Sequence, residues 1–117
     1  MTDKSILSEL VSLLDAMDIP VETGVFSGKP PDVYVVLTPL ADTFEMYADN
    51  QPQYETQEAR VSLFSRGNYF KLKLKIVNIL LENDFTVTNR RYIGHDDQTK
   101  VHHYVIDVAR NYPMQNI

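Results

Sequence analysis

The side chains best suited to chemistry cluster late in the chain: His95, Asp96 and Asp97 in one short segment, then His102 and His103. Imidazole and carboxylate are a donor set for a divalent transition metal. His102 and His103, however, are neighbours in Val101 to Ala109, which has the alternation of a strand. Adjacent strand residues point to opposite faces, so these two cannot close on one ion. His95-Asp96-Asp97, between Gly94 and Gln98-Thr99, has the composition of a solvated turn. No metal is expected there. His102 shares a face with Tyr104, Ile106 and Val108 and reads as a hydrogen-bonded core histidine.

Other constellations are weaker. Ser65-Arg66-Gly67 precedes a helix, whose N-terminus could seat an anion, but it lacks the glycine pattern of a phosphate loop and reads as a strand-to-helix turn. The chain has no cysteine, which removes disulfides, thiolate nucleophiles and sulfur-based zinc sites. No combination of Ser, His and Asp has a recognised catalytic spacing. Neither an enzyme nor a cofactor is expected. Lys71, Lys73 and Lys75, with Arg66 upstream and Phe70 interleaved, suggest a nucleic-acid surface at first sight. At 100° per residue Lys73 points away from the other two, and Arg90 and Arg91 face opposite sides of a strand. With a net charge of −5, specific nucleic-acid binding is not expected.

A chain of 117 residues, 44% hydrophobic and 23% charged, fits one globular domain spanning 1–117. No apolar run reaches the roughly 20 residues of a membrane helix, so no membrane association is expected. The N-terminal MTDKSILSEL lacks the basic flank and apolar stretch of a signal peptide. The expected site of synthesis and folding is the cytoplasm.

The elements follow from periodicity. Thr2 or Asp3 can cap a first helix running to about Met17, with Ile6, Leu10, Leu13 and Met17 on one stripe and Leu7, Val11 and Leu14 broadening it. Pro20 ends it. Strands are expected at 21–26, at 32–39 with burial on much of both faces, and at 43–48. The polar turn 49–52 then makes 40–65 a hairpin able to stand away from the body. On its second arm Ala59, Val61 and Leu63 alternate with Glu58, Arg60 and Ser62. Gly67 is expected at positive φ and Asn68 as the cap of a second helix. That helix ends at 82–84, with Asn83 or Asp84 left-handed. Strands at 85–93 and 101–109 flank a hairpin loop at 94–99, and a loose tail starts at about 111. The expected fold is α+β: a mainly antiparallel sheet with two principal helices against it, in the order α-β-β-β-β-α-β-β.

The second helix has two apolar stripes. Tyr69, Leu72, Ile76, Ile79 and Leu80 form one; Phe70, Leu74, Val77 and Leu81 form another well over 100° away. A helix on a sheet needs only the first. The second is covered either by the first helix or by a partner subunit.

From Tyr47-Ala48-Asp49 and Pro52, through Val61-Ser62-Leu63-Phe64-Ser65, to Gly67-Asn68-Tyr69 opening a helix and Leu81-Glu82-Asn83-Asp84-Phe85 closing it, the chain resembles the tail-completion proteins of long-tailed bacteriophages and prophages. These are also called tail terminators or head–tail joining proteins. A Tyr-x-x-x-Asp-like loop and a final strand containing a histidine (here His102 or His103) also fit. The match covers roughly residues 34 to 110 and depends on the order and spacing of elements; there is no catalytic anchor. Asp84 departs from the family, which commonly has glycine just before the Phe85-like position.

The resemblance implies a ring, usually hexameric, at the head-proximal end of the tail tube. The ring stops tube polymerisation and docks on the capsid connector. Implied partners are other copies of this chain, the major tail tube protein and the head connector or stopper protein, with the ring as a passage for DNA. The implied locations are the host cytoplasm during assembly and then the head–tail junction of the virion. Candidate contact surfaces are Phe70, Leu74, Val77 and Leu81 on the second helix, and Tyr47, Asp49, Asn50, Gln51 and Tyr54 at the hairpin tip. The competing reading is a small non-enzymatic interaction or regulatory module acting as monomer or dimer. A third, an enzyme using the region from His95 to His103, is the least supported.

Overall fold

The computed structural model describes residues 5–24, 28–48 and 51–114, with backbone alone over 45–48 and at 52. Ser5 caps helix α1 (Ile6–Asp15), while the expected caps Thr2 and Asp3 lie outside the described residues: the Ser5 side-chain oxygen accepts the Ser8 N–H at 3.1 Å, and the Ser8 hydroxyl oxygen accepts the Ser5 N–H at 3.4 Å. This reciprocal pairing satisfies two donors that a helix start would leave without partners. The helix stops before the expected Met17. Asp18 takes φ 58°, and the Ile19 N–H returns to the Leu14 carbonyl at 3.2 Å, which tucks Ile19 into the core.

One five-stranded sheet follows, in the spatial order β1-β2-β3-β5-β4. Its strands are β1 (Val21–Thr23), β2 (Val33–Ala48), β3 (Gln51–Ser65), β4 (Thr86–Asp96) and β5 (Val101–Pro113), with helix α2 (Phe70–Glu82) between β3 and β4. Among the described residues only β1 and β2 pair in parallel; the other pairings are antiparallel. This is the α+β fold expected. The segments read as strands at 32–39 and 43–48 are the two halves of β2, divided by a register shift between Pro39 and Ala41. Proline has no N–H for the ladder, and a bulge beside it tolerates the loss.

Alternation on β3 determines which side is covered. Ala59, Val61 and Leu63 are fully buried, opposite Val108, Ile106 and Tyr104 of β5, and Val61 and Leu63 also meet Leu37 and Val35 of β2. On to this face α1 brings Ile6, Leu10 and Leu14, and α2 brings Ile76, Val77 and Leu80. Each fully buried Leu or Ile contributes about 1.5–3 kcal/mol of transfer free energy, before the entropy of ordering is set against it.

The connections differ from expectation in three places. Gly67 is not at positive φ; among the described glycines only Gly24 and Gly28 are. Nor is Asn68 the cap: Tyr69 takes that position without a side-chain cap bond, and Asn68, one residue earlier, accepts the Phe70 N–H on its Oδ1 at 2.9 Å. Second, β4 runs to Asp96, beyond the expected Ile93, and Asp96 Oδ1 caps the tight turn by accepting the N–H groups of Gln98 and Thr99 at 2.9 and 3.2 Å. Third, the loose tail expected from 111 is instead strand. β5 continues to Pro113, and Tyr112, 2% exposed, donates its hydroxyl to Glu9 on α1 at 2.9 Å. The helix end is as expected: Asp84 is left-handed at φ 66°.

The hairpin of β2 and β3 gives the molecule a long axis, with extents of 55 × 25 × 23 Å. Its radius of gyration is 15.7 Å, against about 13 Å for a compact domain of this length. Among the described residues no helix is long and apolar enough to cross a membrane.

Candidate assembly surfaces

Helix α1 packs on β1, β2 and β3, whereas α2 packs on β4. The first helix leaves most of the second stripe of α2 uncovered. Phe70 is 53%, Leu74 40% and Leu81 54% exposed. Val77 is a correction: at 7% exposure it belongs to the core with Ile76 and Leu80. The remaining ridge is flanked by exposed Lys71 and Lys75, one helical position further round. Lys73 does not join them. Its Nζ lies 4.7 Å from the ring centroids of both Phe70 and Tyr104 and 5.6 Å from that of Tyr69, a cation–π arrangement that leaves its charge over aromatic faces.

The second surface is the outer part of the hairpin. The β2–β3 ladder continues to the Ala48–Gln51 pair. Gln51 and Tyr54 are exposed, while Asp49, Asn50 and the side chain of Tyr47 lie outside the described residues. Periodicity missed two residues here. Leu40 is 45% and Phe44 53% exposed, both on β2 beyond its pairing with β1 at Leu37. Phe44 sits opposite Glu55 with Asp42 two residues before it, so a bare aromatic ring stands among carboxylates. The signal was available in charge: 41–58 contains Asp42, Glu45, Asp49, Glu55 and Glu58 and no Lys, Arg or His.

The histidines separate as strand geometry requires. His102 joins the side of the helices, where Tyr92 Oη meets its Nδ1 at 2.9 Å and its ring lies 4.5 Å from that of His95. His95 Nδ1 in turn meets Asp97 Oδ1 at 3.0 Å. His103 lies on the opposite side, stacked at 4.2 Å on Phe64, which stacks at 4.8 Å on Tyr34. Among the described residues no three metal-binding side chains converge. The stack forms one wall of a groove of about 390 Å³ that Pro30, Pro31 and Ile93 also line. Burial, and secondarily the nearby Arg60 charge, holds the His103 imidazole below its ordinary pKa. Its Nε2 has no hydrogen-bond partner among the described residues.

Further along this side, Arg60 grips Asp107 with two parallel bonds, Nε to Oδ1 at 2.8 Å and Nη2 to Oδ2 at 3.0 Å. That hydrogen bonding lowers the Asp107 pKa against the opposing effect of burial. The pair links β3 to β5 through side chains on this face.

No protein-family model matches the chain, and no curated protein matches it. The functional reading therefore rests on the geometry and on the order of the elements. What the surface offers is an apolar ridge on α2, flanked by Lys71 and Lys75 over its first turns and by Glu82 at its end, and exposed apolar residues on an acidic hairpin.

Proposed function

We propose that this protein is a structural component of a bacteriophage or prophage particle, a tail-completion protein that caps the head-proximal end of the tail tube, ends its polymerisation and joins it to the capsid connector. The observation that carries the reading is a pair of exposed apolar surfaces on a domain whose core is already filled. Phe70, Leu74 and Leu81 lie on α2, and Leu40 and Phe44 on the hairpin, with Tyr54 on the other face of the sheet from Phe44. A ring protomer needs two different self-contact surfaces, because a heterologous interface closes only when one patch meets another. The chain's resemblance to the family in element order supports the same role, with the tail tube and the connector as further partners. An acidic protein, net charge −5, would repel DNA in transit and not retain it.

The test is electron microscopy of particles from a phage or prophage in which this gene is deleted. Filled heads beside separate tails, some abnormally long, are the expected result. Normal joined virions would remove the structural role, and capture of a partner by a monomeric or dimeric module would then be the reading to pursue.

A further inference from the structure

From charge and placement we infer that the two exposed surfaces are the two halves of one interface, in which the acidic hairpin of one copy docks on the α2 ridge of the next. The inference rests on the tail-completion reading only for the closure of the contacts into a ring.

The chemistry of the two strips is complementary. On the hairpin, Phe44 is 53% exposed between Asp42 and Glu55. On α2, Phe70 and Leu74 are one turn apart, and Lys71 and Lys75 are one turn apart beside them. An aromatic ring bordered by carboxylates thus matches the first turns of α2, where ammonium groups border the apolar ridge and Glu82 is still about two turns beyond Lys75, and opposite charge on facing patches steers and orients association. Placement excludes the protein's own hairpin as occupant. The α2 start follows Ser65, at one end of β3, whereas Phe44 pairs with Glu55 ten residues back along that strand. At about 3.3 Å per residue the two lie roughly 33 Å apart. β5 also intervenes between β3 and β4, the strand on which α2 packs. A strip at one end and its complement at the other give a head-to-tail contact, which repeats from copy to copy instead of closing as a symmetric dimer.

The cysteine-free chain permits a direct test by disulfide trapping. Phe44→Cys and Leu74→Cys would be made singly and together, at positions exposed enough to keep the monomer folded, and oxidised both in concentrated solution and in complemented phage particles. The expected result is a covalent ladder from the double variant, only dimers from a mixture of the two single variants, and no cross-link from either single variant alone. Charge exchange gives a second measurement. D42K/E55K and K71E/K75E each weaken self-association at least tenfold by sedimentation, and mixing the two variants restores it.

Three results would overturn the inference: no ladder in either setting, dimers from F44C alone, or cross-links only to another tail protein. The deletion experiment separates the two failures. Unjoined heads and tails without a ladder leave tail completion standing and discard this pairing, whereas a ladder with normally joined virions discards tail completion and keeps the pairing as self-association.

Discussion

Arg60 and Asp107 face each other across β3 and β5, on the side of the sheet away from α1 and α2. A bidentate guanidinium–carboxylate pair is stronger than a neutral hydrogen bond, and removing one member leaves the other partly buried without its partner. Asp107→Ala is expected to cost about 1–3 kcal/mol in urea unfolding. Because the folded-state pKa of Asp107 is lowered, its contribution is complete above the ordinary value of 3.8 and is lost as pH falls through the lower folded value. Asp107→Asn should therefore flatten the acid limb of a stability–pH curve; an unchanged limb would mean that other carboxylates dominate it. His103 acts in a higher window. Its lowered pKa means that the unfolded chain takes up a proton more readily, so stability is complete above 6.5 and declines as pH falls below that value. His103→Phe keeps a ring on Phe64 and removes the titration. The drop in melting temperature between pH 7.5 and 5.5 should be smaller in this variant than in the native chain, and an equal drop would place the sensitivity elsewhere.

At the scale of elements, α2 separates assembly from folding. Phe70→Ser with Leu74→Ser removes exposed apolar surface and should weaken self-association while leaving the melting temperature within a few degrees of the native value. Val77→Ser on the same helix meets the core and should cost about 2–4 kcal/mol. Unfolding by the first pair would make that ridge part of the core and end its candidacy as an interface. Asp84 offers a smaller test: a left-handed residue with a side chain carries a penalty that glycine escapes, so Asp84→Gly should stabilise by about 0.5 kcal/mol. A loss of stability would show that the side chain makes a compensating contact. Much of this element was legible beforehand. The stop at Asp84 and the apolar alternation of Ala59, Val61 and Leu63 follow from local rules, and so does the separation of His102 from His103. What periodicity could not decide was which stripe of α2 stays bare, since that depends on where α1 settles. α1 is held on β3 by the Gln57 Oε1 that accepts the Ile6 N–H at 2.7 Å and on β5 by the Tyr112–Glu9 bond. Those are contacts across 51 and 103 residues of sequence, beyond any local window. Tyr112 was misread as tail for the same reason: its burial is created by α1, not by its neighbours.

For the whole molecule, the question is whether the hairpin is part of the cooperative fold or an arm carried by it. The buried cluster draws on β2 at Val35 and Leu37 and on β3 at Ala59, Val61 and Leu63, all inward of the Phe44–Glu55 pair. Beyond that pair, among the described residues, the ladder is supported by the pairing of Tyr54 with Pro113 and by the Met114 N–H to the Gln53 carbonyl at 3.1 Å. A short extension of this kind contributes little, because isolated hairpins are marginal in water. Replacing residues 45–54 with Asn-Gly would reconnect Phe44 to Glu55 through the two-residue turn that suits a twisted antiparallel pair. This variant should fold with a melting temperature within about 5 °C of the native chain, which corresponds to roughly 1 kcal/mol. It retains Asp42, Phe44 and Glu55, so its self-association should also survive, while contacts that need the tip itself, Gln51 and Tyr54 among them, would be lost. Complementation of the deleted phage by this variant then divides the molecule's surfaces by role. Rings that form but fail to join heads to tails would assign the tip to a partner outside the ring. Loss of folding would show that the arm is part of the core, and its exposed aromatics would have to be explained as structure and not as contact.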